Sequence, residues 1–203
     1  WQIRIDDLDP PRSAPNATES ILKTLSAHGM ESDTHIIYQS QRNISYQKAL
    51  NQLASDSFYC TCTRKKLNAF AVYPGTCRDN DLPIVNSSIR LRSGSQNIYF
   101  KDLILGKQMS GTNYSLGDFI IQRKDGLFAY NLATAVDDAN QISHVIRGQD
   151  LYATTPPQLL IMQKLNFTPP TYGHIPILTF PDGKKLSKQN KAPALDNDHA
   201  AAN

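Results

Sequence analysis

No stretch of the 203-residue chain approaches 18 uninterrupted apolar residues, and no basic segment precedes an apolar run at its start. Neither a membrane-spanning helix nor a secretory signal can be read here, so a soluble chain is expected. Cysteine is scarce. The three present are an odd number confined to Cys60, Cys62 and Cys77, whereas a disulfide framework uses an even count spread over the fold. A reducing, cytoplasmic setting is the expectation that follows. Under it the five Asn-x-Ser/Thr triplets, starting at Asn16, Asn43, Asn86, Asn113 and Asn166, are chance matches rather than glycosylation sites. There is no excess of one charge either: 21 Lys and Arg against 18 Asp and Glu leave +3, which permits an anionic partner without demanding one. Internal repeats and low-complexity tracts are absent. What remains, 40% hydrophobic and 19% charged residues, is enough to bury an ordinary core and excludes disorder as the main state.

Apolar spacing then organises the chain. Ile3 and Ile5 alternate with polar neighbours as in a strand, and Pro10-Pro11 breaks it. Ile21, Leu22 and Leu25 recur at helical spacing up to Gly29. His35-Ile36-Ile37-Tyr38 reads as a second strand, and 44–57, with Tyr46, Ala49, Leu50 and Leu53 on one face, as a second helix. Two strand-and-helix pairs in succession predict a parallel α/β sheet. The middle differs: 89–92, 97–105 and 118–123 read as short strands between glycine-containing turns, with Lys124-Asp125-Gly126 as a hairpin signal. Helical and strand patterns return at 127–138, 142–147, 156–165 and 172–179. The chain opens in what reads as mid-strand at Trp1, so a further N-terminal part is expected before it.

Several clusters could carry chemistry. Cys60-x-Cys62, with Cys77 in the same loop-rich segment, brings together three soft ligands, and Tyr73 is the nearest fourth donor for a structural zinc site; the bland alternative is three small buried thiols. Gly183-Lys184-Lys185-Leu186-Ser187-Lys188 places Lys185 and Lys188 behind a turn, where mobile ammonium groups suit the transient neutralisation of polyphosphate, or form a solvated basic loop. Arg147 falls at the end of a predicted strand, where open α/β sheets bind ligands; it could grip a carboxylate or pair with a neighbouring Asp. Asp6 has the same position on the first strand and could meet an ammonium group. Asp137-Asp138 reads as capping or a solvated face, since adjacent residues point apart. His28 reads as a helix C-terminal residue, and His174 as equally structural or functional.

Taken in order, Arg4-Ile5-Asp6-Asp7-Leu8-Asp9-Pro10-Pro11-Arg12, Cys60-x-Cys62 with Tyr73 and Cys77, Phe128-Ala129-Tyr130 before Val136-Asp137-Asp138, Val145-Ile146-Arg147-Gly148, and Lys185-Leu186-Ser187-Lys188-Gln189 resemble the glutamyl-tRNA synthetase family over nearly the whole chain. Asp-Pro-Pro-Arg, Arg-Gly-Gln-Asp-Leu and Lys-Leu-Ser-Lys-Gln-Asn resemble its short members, which lack an anticodon-binding domain. The resemblance implies an α/β fold, a class I aminoacyl-tRNA synthetase Rossmann-type catalytic domain, divided into 1–58 (first half), 59–118 (zinc-bearing insertion) and 119–203 (second half with the Lys-Leu-Ser-Lys loop). It implies a cytoplasmic, monomeric ligase that activates glutamate with ATP and Mg and transfers it to the queuosine base of tRNA(Asp). Asp6, Tyr130 and Arg147 would bind glutamate, Lys188 would contact ATP with Lys185 and Lys188 as the catalytic lysines, and Cys60, Cys62, Tyr73 and Cys77 would hold zinc. The family's first site usually carries Glu where Asp6 stands. Its His-Ile-Gly-His-like motif is expected before Trp1, and without that motif negligible activation is expected. Two other readings are a synthetase core charging tRNA(Glu), and a noncatalytic zinc-stabilised RNA-binding module.

Overall fold

The computed structural model describes residues 1–9, 15–94, 97–110, 116–139, 141–187, 192–193 and 195–202. They divide into two compact units, residues 1–43 with 177–203, and residues 44–176.

In the first unit β1 (Arg4–Ile5) lies parallel to β2 (Ile37–Tyr38), with Arg4 opposite Ile37 and Ile5 opposite Tyr38. Parallel neighbours need a crossover, and α1 (Ala17–Ala27) supplies it, as the alternation of apolar spacings predicts. The helix ends at His28, whose Nδ1 lies 2.8 Å from the Thr24 carbonyl oxygen. Gly29 then leaves in the left-handed region at φ 70°, a conformation glycine adopts without a Cβ penalty. The returning segment makes a tight turn at Pro181-Asp182-Gly183: Thr179 bridges Lys185, and Gly183 N–H donates to the Phe180 carbonyl at 2.9 Å. The helical turns at Asn197–Ala202 lie against α1.

The second unit holds two sheets. One is antiparallel, in the order β3 (Ser57–Cys60), β4 (Ser88–Leu91), β7 (Phe119–Gln122). The other runs β6 (Gly106–Ser110), β5 (Ile98–Asp102), β9 (Thr171–Ile175), β8 (His144–Gly148), with a β5–β6 hairpin and parallel pairing of β5 with β9 and β9 with β8. The helices are α2 (Asn43–Gln52), the single turn α3 (Arg64–Leu67), α4 (Tyr130–Asp138) and α5 (Thr155–Lys164). Pro156 and Pro157 fall in the first turn of α5, where a missing N–H breaks no helical bond. Leu50 and Leu53 from α2 and the turn after it, Leu132 and Ala135 from α4, and Leu160, Ile161 and Met162 from α5 close on Leu91, Ile98 and Ile121 of the strands. A second cluster gathers Phe58, Cys60 and Cys77.

Two expectations need correction. The helix expected over 44–57 stops at Gln52, because a tight turn at Ala54–Asp56 redirects the chain and Ser57 opens β3. Asp137 and Asp138 are not a solvated face; they are 3% and 4% exposed, and Asp137 Oδ2 accepts the Tyr46 hydroxyl at 2.8 Å. Of the strands that fall in or border 59–118, β4 pairs with β3 and β7, and β5 pairs with β6 and β9.

Candidate functional site: a cradled arginine and a cysteine cluster

Strand register explains the first site. Arg147 on β8 stands directly opposite His174 on the parallel strand β9, and side chains at one register position share a face. The N-terminal turn of α5 covers that face. Arg147 Nε donates to His174 Nε2 at 3.2 Å, one terminal nitrogen donates to Gln158 Oε1 at 3.0 Å, and the other to Thr155 Oγ1 at 2.7 Å. Thr155 and Gln158 are three apart on a helix, so both reach the same place. Beneath the guanidinium, the Tyr172 ring lies 5.0 Å from Cζ. All three anchors of this partly buried cation are neutral, and among the described residues no carboxylate pairs with it. A salt bridge to a neighbouring Asp was one expectation; among the described residues Arg147 is anchored by His174, Gln158 and Thr155 instead.

His174 is held in turn. Its Nδ1 lies 2.6 Å from Asp102 Oδ2, and both side chains have 0% exposure. Asp102 Oδ1 accepts the backbone N–H groups of Ile104 and Leu105, each at 2.9 Å, and of His174 at 3.2 Å. Burial pushes the carboxyl up, but the Leu105 N–H, the imidazole and the Ile104 and His174 N–H groups outweigh it and bring it down to about 2. Sequence reasoning missed Asp102, Thr155 and Gln158, and weighed His174 without choosing; a charged residue at a strand end gives no signal that it will be buried.

The other expected site residues are distributed as follows. Tyr130 opens α4 and is 38% exposed; its neighbour Asn131 accepts from Gln158 Nε2 at 3.4 Å, which ties the start of α4 to the Arg147 cradle. Asp6 follows β1 directly and accepts from Arg4 Nε at 2.7 Å. Lys185 follows the Pro181-Asp182-Gly183 turn, in the same unit as Asp6. Lys188 lies outside the described residues.

The three cysteine sulfurs lie within 4.8 Å of one another, Cys62 and Cys77 at 3.5 Å. A tetrahedral centre about 2.3 Å from each sulfur would set them about 3.8 Å apart, so the spacing fits one. Tyr73 completes the group: its Oη lies 3.5 Å from Cys60 Sγ and accepts the Cys77 N–H at 2.8 Å. Arg90 stacks 4.0 Å above the Tyr73 ring and fixes it. Burial, with hydrogen bonding to Cys77 and the charge of Cys60, pushes the Cys62 thiol up to about 11. Burial resists ionisation of Cys77 too, but hydrogen bonds from Tyr73, the Thr61 backbone, Cys62 and Cys60 prevail and lower it to about 7. Ionising all three together therefore calls for a cation among them.

Known proteins can now be set beside this geometry. The family model for class I tRNA synthetases (E and Q), catalytic domain, matches residues 1–71 and 79–202. The chain belongs to this synthetase family. A glutamyl-Q tRNA(Asp) synthetase from Yersinia pseudotuberculosis is 44% identical over 97% of the chain and 61% of the relative. One from Shewanella oneidensis is 43% identical over 100% of the chain and 69% of the relative. The chain thus spans under two thirds of the first of these synthetases. Among solved structures, the glutamate-tRNA synthetase of Elizabethkingia anophelis superposes with a TM-score of 0.78 at 26% identity, over 92% of this chain and 45% of that one. The class I synthetase catalytic fold, with its α/β content, is therefore that of this chain. No helix among the described residues is long and apolar enough to cross a membrane.

Proposed function

We propose that the protein activates glutamate with ATP and transfers it to the queuosine base of tRNA(Asp). The observation that carries this reading is the cradle of Arg147, a cation fixed by three neutral acceptors, set in a chain whose whole length aligns with 69% of a glutamyl-Q tRNA(Asp) synthetase. Two N–H groups remain on the terminal nitrogens, one on each, as donors for a carboxylate. Tyr130 would line the same amino-acid pocket, Asp6 would face the α-amino group, and Lys185 and Lys188 would meet the phosphates of ATP, taken up with Mg. In the first step a glutamate carboxylate oxygen bonds to the α-phosphorus and the bond to pyrophosphate breaks. In the second the base attacks the acyl carbon and AMP leaves. Neither step needs a covalent protein intermediate; positioning and charge neutralisation suffice.

The residues Cys60, Cys62, Cys77 and Tyr73 would hold zinc, and their spacing and donor chemistry support that assignment. The bound ion would supply structural cross-linking of the loop between β3 and β4. A cytoplasmic location accords with this function.

The test uses the full-length protein with labelled glutamate and tRNA(Asp) with and without queuosine. Label is expected only on the queuosine-bearing tRNA; equal labelling of both, or labelling of tRNA(Glu), would overturn the acceptor assignment. Arg147→Lys keeps the charge but loses the planar fork, and should raise the KM for glutamate in pyrophosphate exchange about tenfold or more. An unchanged KM would refute the role given to Arg147.

A further inference from the structure

Asp102 and His174 stand beside the substrate-binding arginine without being part of any recognised motif, and their arrangement does more than fill the core. A buried carboxylate is tolerated only when its oxygens are fully hydrogen-bonded. Asp102 meets that need with three backbone N–H groups and one imidazole. The opposite edge of the imidazole is directed at Arg147 Nε, 3.2 Å away, and at Thr155 Oγ1, 3.0 Å away. A carboxylate only accepts, so His174 carries its hydrogen on Nδ1 and offers the Nε2 lone pair to the Arg147 Nε–H.

We propose that Asp102 and His174 are positioning residues for glutamate recognition: the carboxylate fixes the imidazole tautomer, and the imidazole fixes the plane of the Arg147 guanidinium. The proposal rests on the assignment of Arg147 to glutamate. A guanidinium binds a carboxylate by two parallel bonds only when its plane is set, and the ring, Thr155 and Gln158 anchor its three nitrogens separately. An acid placed directly on Arg147 would anchor it equally well but neutralise it against the substrate. Placing Asp102 one imidazole away keeps the anchor and leaves the cation uncompensated. The low carboxyl of Asp102 agrees, since it keeps the acceptor ionised at neutral pH.

Asp102→Asn tests the tautomer. The amide oxygen should stay with the three backbone N–H groups, which turns the amide –NH2 toward Nδ1. The ring must then carry its hydrogen on Nε2, opposing the N–H of Arg147. The expected result is a shift of the His174 hydrogen from Nδ1 to Nε2 in 15N spectra, with the KM for glutamate raised about tenfold and that for ATP unchanged. In a His174→Gln background, where an amide oxygen can meet Arg147 without any tautomer, the KM for glutamate should stay within about threefold of wild type. Asp102→Asn should then add nothing. Equal loss in both backgrounds, or a lowered Tm with an unchanged KM for glutamate, would overturn the proposal as a merely structural effect. Should Asp102→Asn not fold, His174→Asn, which keeps the bond to Asp102 but falls short of Arg147, takes its place. A KM equal to that of His174→Gln would again overturn it. Arg147→Lys separates the two levels: no effect there strikes the role of Arg147 itself, whereas loss there with none in Asp102→Asn strikes only the relay.

Discussion

Asp102 has no exposed side-chain surface, where an isolated carboxylate would take up a proton; four donors reverse that and hold it at about 2. Its value in the unfolded chain is the ordinary 3.8. A group depressed on folding contributes stability above its unfolded value and loses it as the pH falls through the folded one. Wild-type protein should therefore lose about 2 kcal/mol from this group between pH 4 and pH 2, a loss missing in Asp102→Asn, as urea titrations at each pH would read. At this scale the sequence was legible where spacing is local. Cys60, Cys62 and Cys77 could be grouped because they share one loop, and Arg147 could be singled out from its strand. Asp102 could not, since its partner lies 72 residues away and only the register of β9 brings it there.

Elements were legible to the extent that one face was buried. The pattern Tyr46, Ala49, Leu50, Leu53 announced α2, and all four are core residues. It could not announce the end, because the stop is made by a turn and by the Arg92 N–H donating to Asp56 O at 2.8 Å. Strand β6, Gly106 to Ser110, escaped because Lys107, Gln108 and Met109 give no alternation; it exists as the second arm of a hairpin whose first residue, Gly106, takes φ 76°. Gly117 does similar work beside the cysteine loop. It holds φ 63°, and a Cβ there would collide with Val72 Cγ1 and crowd the Tyr73 N–H. Gly117→Ala should cost about 2 kcal/mol in the left-handed backbone alone, with a further loss from the stiff valine, measurable as a lower Tm. Chelation of the proposed zinc should lower the Tm of the wild type by several degrees, and Cys62→Ser should no longer respond to the chelator.

Across the whole molecule, long-range pairing sets which parts of the chain lie together. The first unit joins residues 1–43 to 177–203, a union that no local pattern foretells. Within the second unit, β9 enters its sheet between β5 and β8, both made earlier in sequence. This order has a bearing on synthesis. Until residue 175 has left the ribosome, β5 and β8 have no shared neighbour, and the acid at 102 has neither its ring nor the last of its backbone donors. The arginine is thus the last part of this unit to be fixed, when a single late strand closes the long loop between them. Nascent chains arrested with residue 165 just emerged should be cut by protease around residues 98–110, and chains arrested twenty or so residues later should resist. The proposed recognition of glutamate would then be acquired in one step as β9 emerges, rather than built up as the polypeptide grows.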